Sequence, residues 1–362
     1  MSLPLVLHVL PFDLARGPQR YARLVRERLD GDGARHRTLT IFASSGARVL
    51  DADVKVDAPH SLLARRGFDP AAAFRLARVL RDLHANVVVA YGSQPFKYLA
   101  AALPHSTSLV YRKIGVAHAP AKASLGRSFH SLLMKRADLV AGVSQECLDE
   151  ARDWFHVRPE LLELVPNGRD PNEFFPAAQR QSAELVLSYV GHLTPGKRPE
   201  LFIEIVRELH AAGIPIRGQV IGDGPEQARL EAAVRGAPIT LLGRRDDVAR
   251  LLRESDALLV TALPDGEGMP GVLLEAGLSG LPCIATRVPG ATTAIVEGVT
   301  GFVVDSADIA ALRARVRTLA TDPHLRLGMG RAAREHCLEH FTIERSLSRW
   351  RDVLNRSLAS AR

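Results

Sequence analysis

Two glutamates, Glu267 and Glu275, are separated by seven residues in the run Pro264-Asp265-Gly266-Glu267-Gly268-Met269-Pro270-Gly271-Val272-Leu273-Leu274-Glu275. An apolar stretch precedes this run and a helical pattern follows it. Its glycines let a ligand come close to the backbone, and the unpaired amides at a helix start suit an anion. Glu267 falls on the loop. Glu275 falls about one turn inside the helix, from where a carboxylate can reach back to sugar hydroxyls. The plainer alternative is a Gly-rich turn carrying two solvated carboxylates. A second loop of the same kind is Gly191-His192-Leu193-Thr194-Pro195-Gly196-Lys197-Arg198. Only 6 of the 47 basic residues are lysine, so a lysine here is notable: its ammonium is a compact point charge suited to a phosphate. An ordinary surface lysine is the competing reading.

Weaker signals accompany these two. Gly222-Asp223-Gly224-Pro225-Glu226 is a G-x-G without the third glycine or the later acidic residue of a dinucleotide fingerprint. Ala15-Arg16-Gly17-Pro18 joins a first strand to a first helix and can bring backbone amides to a diphosphate. Asp51-Ala52-Asp53 reads as D-x-D, the pattern of a metal-dependent sugar transferase. No third ligand stands near it, so a solvated turn is expected. His105, His118 and His130 are too widely spaced for a helical metal pair. Neither a P-loop nor a G-x-S-x-G elbow occurs. No metal site is expected.

These loops need rigid elements to hold them. Strand-length apolar runs lie over 3–10, 38–43, 86–91, 108–111, 139–142 and 161–165. A second series covers 185–190, 216–221, 239–242, 257–260, 283–285 and 301–304. Most are near-continuous Val/Ile/Leu stretches, as in parallel strands covered on both faces. Amphipathic helices over 18–29, 70–83, 199–212 and 225–234 alternate with them. The expected fold is α/β, with two doubly wound parallel sheets. Dense turn formers from Val165 to Pro176 mark the break between the two series.

The length of 362 residues corresponds to about two domains of roughly 150 residues. With 46% hydrophobic and 24% charged residues, the chain reads as a soluble, packed protein. No apolar run approaches the ~20 residues of a membrane-spanning helix. The first apolar run lacks a basic flank and a small-residue cleavage site, and reads as a strand in place of a leader. Cys147, Cys283 and Cys337 form no C-x-x-C pair, which fits a reducing compartment and a cytoplasmic location. The net charge of +7 is uneven: residues 1–175 carry +6, and between Leu83 and Ala137 there are seven basic residues and no carboxylate. Such a field fits an anionic ligand or acceptor, or a membrane surface. Lys122, Arg127, Lys135 and Arg136 flank apolar residues in this stretch. Aromatics make up only 5% and no nucleic-acid module is present, so no nucleic-acid partner is expected.

Together the motifs resemble the retaining glycosyltransferases of family 4, which have the GT-B architecture of two Rossmann-like domains facing a central cleft. Val165-Pro166-Asn167-Gly168 with Phe174-Phe175-Pro176 is similar to the family's I-P-N-G-V-D…F-x-P crossover. Gly191 to Arg198 resembles its G-R-L…K-G segment, Ile221 to Glu226 its G-x-G-P-E, and Glu267 to Glu275 its E-x7-E. Ala137 to Ser144 fits its A-D…V-S run. The resemblance implies an acceptor-side domain over 1–175, a nucleotide-sugar domain over 176–340, and a C-terminal segment over 341–362 packing back on the first domain.

It also implies roles. The donor is a nucleotide-diphosphate sugar, and no metal or other cofactor takes part. Glu275 would bond the ribose hydroxyls and Lys197 would neutralise the diphosphate. Glu267, with the amides of Gly268, Met269, Pro270 and Gly271, would grip the sugar and phosphates. Gly191, Arg198, Gly222, Gly224 and Leu274 complete the donor loops, Arg244 and Arg245 border the base, and Gly17 approaches the diphosphate. Three departures stand out. His192 replaces the family's usual Arg, one glycine serves the first turn where many members have two, and Tyr111-Arg112-Lys113-Ile114-Gly115 replaces the run that supplies an acceptor-side His. Arg112, Lys113 and the out-of-register His118 are the acceptor-side candidates. Alternatives on the same architecture are an inverting transferase or a sugar-nucleotide 2-epimerase. A silent sugar-nucleotide sensor is the non-enzymatic alternative. The acceptor is expected to be anionic or membrane-associated, with the protein peripheral at the inner face of the membrane in the latter case.

Overall fold

The computed structural model describes residues 3–13, 17–43, 52–116, 130–177, 184–264 and 268–360. They form two compact units, one of residues 1–167 with 346–362 and one of residues 168–345. The unit boundary falls at Asn167, ahead of the expected 175. The segment from Gly168 onward bonds to the second unit: Arg169 donates its amide to Phe341 and accepts from Ile343.

Unit 1 holds a seven-stranded sheet in the order β3-β2-β1-β4-β5-β6-β7. Its strands are β1 (Leu5–Leu10), β2 (Arg35–Phe42), β3 (Val54–Ala58), β4 (Val87–Tyr91), β5 (Ser108–Lys113), β6 (Leu139–Gly142) and β7 (Leu162–Leu164). All pairs are parallel. β1, β4 and β5 are buried along their whole length, as continuous apolar runs require when helices cover both faces. The extra strand, β3, is at the edge. Its sequence Val-Lys-Val-Asp-Ala alternates apolar with charged residues, which suits an exposed edge and hides it from a search for continuous apolar runs. The helix Pro70–Leu83 begins where Asp69 caps the amides of Ala71 and Ala72 and proline occupies the first turn, satisfying or removing otherwise unpaired donors.

The final helix, Ile343–Ser360, carries its residues from Ser346 onward into unit 1. Trp350 is fully buried there and donates its indole N–H to Tyr21 Oη at 3.0 Å. Ser346 Oγ donates to the carbonyl of Pro166. The Arg112 guanidinium lies over the rings of both Tyr21 and Trp350.

A second buried polar group crosses the sheet. His8 on β1 bonds Tyr91 Oη on β4 at 3.0 Å and His36 on β2 at 2.9 Å. Burial, then the charges of His36 and Arg26, hold His8 well below the usual imidazole range. His36 is pushed down to about 4, chiefly by burial and with help from Arg26, against the pull of Asp30 and Asp32. Both rings thus stay neutral in the folded chain while the unfolded chain takes up protons from pH ~6.5 downward. The unfolded state then binds more protons, so stability falls as pH drops from ~6.5 toward 4. Denaturant midpoints measured at pH 7.5 and pH 5 should show that loss, and His36→Gln should reduce it. An equal loss in the variant would remove the histidine pair as its cause.

Unit 2 holds a six-stranded parallel sheet in the order β10-β9-β8-β11-β12-β13. Its strands are β8 (Leu185–Val190), β9 (Ile216–Ile221), β10 (Ile239–Gly243), β11 (Ala257–Val260), β12 (Cys283–Thr286) and β13 (Gly301–Val304). Leu187, Phe202, Ile205, Val206, Leu259, Ile284, Val316 and Leu319 form the centre of its core. The strand order reverses between β8 and β11. At such a switch point adjacent strands send their following loops to opposite sides and leave a crevice beyond their carboxyl ends.

Candidate functional site

The loops that follow β8 and β11 meet at that switch point. After β8 the chain turns through Pro195–Lys197 and enters the helix Pro199–Ala211. After β11 it reaches the helix Gly271–Leu278. Thr261, just past β11, ties the two together by donating its hydroxyl to the carbonyls of Lys197 and Arg198, both at 2.8 Å. Leu263 adds a backbone bond to Gly196 at 2.8 Å. Lys197 is therefore carried on a turn pinned by the neighbouring strand end, which fixes the root of its side chain.

Arg198 has a different place. Its Nε donates to Thr261 O at 2.8 Å and its Nη1 to Ser306 O at 2.9 Å, so its guanidinium braces the two loops from within. Its backbone is left-handed, with φ +45°, an unfavourable conformation for a side chain larger than glycine. His192 is more than half exposed and lies 3.6 Å from Asp223.

Gly222 and Gly224 face the first loop. A Cβ on Gly222 would lie 1.9 Å from Gly191 O, and one on Gly224 would lie 2.4 Å from Leu193 O. Leu193 and Asp223 share a backbone bond of 2.8 Å. These glycines are required by loop-on-loop contact. Gly222→Ala should cost about 1–3 kcal/mol, as overpacking does, and raise the donor Kd by unseating Gly191. Urea melts and nucleotide titration check both. A melt unchanged within 0.5 kcal/mol (~0.5, the surface-substitution scale) would show that the loops part freely.

Glu275 lies in the second turn of the Gly271–Leu278 helix, and its Oε1 accepts from Arg169 Nε at 2.7 Å. Met269, Pro270 and Leu274 are buried and seat that helix. Gly290 lets the backbone of Gly268 and Met269 approach, since a Cβ there would come within 2.6 Å of Gly268 O. Arg245 pairs with Asp247 through two bonds of 2.8 and 2.9 Å, and Arg244 is exposed on the same loop after β10. Glu267 and His118 lie outside the described residues, as do Arg16 and Asp51. A recess of about 650 Å³ lined by Phe175, Arg217, Arg250 and Arg253 also belongs to unit 2, but none of these loop residues lines it.

In unit 1, Gly17 opens the helix Gly17–Leu29 with clear space where a Cβ would stand. Arg112 and Lys113 are both buried. Arg112 bonds Val165 O and Asn167 Oδ1, and Lys113 forms a 2.6 Å ion pair with Glu150. Inside a sheet, such paired cations serve the architecture. Asp53 accepts from the amide and hydroxyl of Thr38 and from Arg26. Burial opposes its ionisation, yet those bonds and the Arg26 charge hold its carboxyl below the usual range. It staples β2 to the helix Gly17–Leu29. Among the described residues no cluster of three His, Cys, Asp or Glu is placed to hold a metal ion.

Two family models match consecutive parts of the chain: Glycosyltransferase Family 4 over residues 15–173 and Glycosyl transferases group 1 over residues 184–322. Both matches are to glycosyltransferase family models, and together they run along most of the chain. It is 29% identical over 237 residues to N-acetyl-alpha-D-glucosaminyl L-malate synthase of Bacillus anthracis, covering 61% of this chain and 60% of that protein. It is 30% identical over 227 residues to D-inositol 3-phosphate glycosyltransferase of Corynebacterium efficiens, covering 56% and 53%. The chain thus spans between half and two thirds of the length of each. Among solved structures, Anabaena HepE in complex with UDP and glucose superposes with a TM-score of 0.78 at 18% identity, over 98% of this chain and 100% of that one. Sucrose-phosphate synthase from Thermosynechococcus elongatus gives 0.77 at 19% identity, over 99% and 100%. The fold is that of a GT-B glycosyltransferase. Arg169 is not among the site residues expected from the sequence. The signal was available: Arg169 stands where the family's I-P-N-G-V-D has valine.

Proposed function

We propose that the protein moves a sugar from a nucleotide-diphosphate sugar to an acceptor hydroxyl, with retention of configuration and without a metal ion. The observation that carries this reading is the bonding of the Lys197 turn to Thr261 at the end of β11, from which the chain goes on to the Gly271–Leu278 helix, at the β8/β11 switch point of unit 2. A cation and a helix start gathered there suit a diphosphate. Breaking the sugar–phosphate bond places negative charge on the departing diphosphate. Lys197 and the helix amides stabilise that charge as it develops, and, being fixed in advance, they need little reorganisation. Glu275 takes the ribose, and Glu267 takes the sugar. Attack from the face the leaving group departs from requires no carboxylate nucleophile.

The relatives' names support the transfer class, and HepE was solved with UDP, which makes uridine nucleotides the first probes. The acceptor is read as anionic: the names of the two relatives include L-malate and inositol 3-phosphate, and the N-terminal 175 residues carry +6 of the net +7. No described helix is long and apolar enough to cross a membrane.

A thermal-shift screen with UDP-glucose, UDP-N-acetylglucosamine and GDP-mannose tests the reading, because a ligand that binds only the folded state raises its stability. One donor class should raise the melting temperature. The anomeric configuration of the product then decides between retention and inversion. Absence of a shift with every donor, together with no donor hydrolysis, would overturn the proposal.

A further inference from the structure

Arg169 is fixed at both backbone and side chain. Its amide donates to Phe341 O at 3.0 Å and its carbonyl accepts from Ile343 at 2.9 Å, so its backbone is clamped to a neighbouring segment of unit 2. Its Nη1 donates to Gly168 O at 3.0 Å and its Nε to Glu275 Oε1 at 2.7 Å. About a fifth of each partner's side chain is exposed, 21% for Arg169 and 18% for Glu275. The guanidinium also rests on the start of the Gly271–Leu278 helix, where a Cβ on Gly271 would lie 2.0 Å from Nη2.

That location is electrostatically unusual. A helix start carries partial positive charge and disfavours a cation. Glu275 compensates by reaching back from the second turn. The result is a carboxylate with one oxygen held by a rigid guanidinium, while Oε2 has no hydrogen bond from a described residue. A carboxylate oxygen accepts more than one bond, so anchoring Oε1 orients the group without filling it.

We propose that Arg169 is the positioning residue that aims Glu275 at the donor ribose, with Gly271 kept small so that the guanidinium can lie across the helix start. This rests on the donor-site reading above. Arg169 acts through Glu275, and its removal leaves a carboxylate free to change rotamer. A misplaced binding group loses most of its contribution.

The test is calorimetric titration of the full chain with UDP and with 2′,3′-dideoxy-UDP, which lacks both ribose hydroxyls. Arg169→Ala should weaken UDP by about tenfold or more and leave the dideoxy compound unchanged. Glu275→Gln should do the same. The double variant should be little worse than either single one, because the two residues act as a unit. Arg169→Lys should recover part of the loss. Gly271→Ala, which displaces the guanidinium while Glu275 is retained, should weaken UDP as well. An equal loss for both nucleotides in Arg169→Ala, or no loss for UDP, overturns the positioning role and leaves the donor site standing. A wild-type chain that binds none of UDP, ADP, GDP and CDP overturns the donor site, and this role with it.

Discussion

Replacing Lys197 with alanine is expected to lower sugar transfer by about 10²-fold or more, the scale for removing one group that stabilises charge in the transition state, while leaving the melting temperature nearly unchanged. The side chain is half-buried on a short turn, away from the packed centre of unit 2. Its backbone is held by Thr261 through bonds that do not involve the ammonium. The neighbouring cation, Arg198, has its guanidinium taken by the carbonyls of Thr261 and Ser306, so it is poorly placed to take over the role. Transfer and donor hydrolysis would be measured with the donor found by thermal shift, alongside a melt of each variant. A rate within twofold of wild type (~2-fold, well inside the error of such an effect) would remove Lys197 from the leaving-group site. A rate loss accompanied by an equal loss of folded protein would make its role structural.

The largest expected effect on stability is at Glu150. Its carboxylate and the Lys113 ammonium are 2.6 Å apart, with 5% and 3% of their side chains exposed. Lys113 also donates to Gly115 O at 2.7 Å and lies 5.8 Å from the Phe155 ring. Glu150→Ala strands a cation beside the end of β5, and breaking a buried pair from one side costs about 3–5 kcal/mol. Replacing both partners with apolar residues, Lys113→Met with Glu150→Leu, should cost far less, because no charge is left behind. Urea unfolding of the three variants measures the difference. If the single variant loses less than about 1 kcal/mol, the range of an exposed pair, then water reaches Lys113 and the pair is not part of the core.

Local pattern revealed the architecture because the strands are continuous apolar runs and their helices begin with proline or a capping side chain. The β8 and β11 loops could be read for the same reason, since each follows a buried strand and opens a helix. What escaped depends on contacts between distant segments. Gly222 and Gly224 look like ligand-facing glycines in a G-x-G, yet each has the first loop's backbone against it. Arg112 and Lys113 look like cations facing an acceptor because they replace a functional run, and only the fold shows them turned inward to Asn167 and Glu150. Arg169 and Glu275 are 106 residues apart, so no local spacing could pair them. Edge strand β3 was obscured by its charged alternation.

The return of the final helix to unit 1 bears on how the chain is made. Synthesis runs from the amino end, and domains commonly fold as they emerge. Unit 2, continuous over 168–345, has all its strands in hand before the last helix exists. Unit 1, although translated first, lacks Trp350 and Ser346 until then, so Tyr21, Tyr91 and Arg112 must wait for the contacts that this helix supplies. The earlier-made half is therefore the later to mature, and a chain that ends before residue 346 has every strand of unit 2 but lacks the helix residues that complete unit 1.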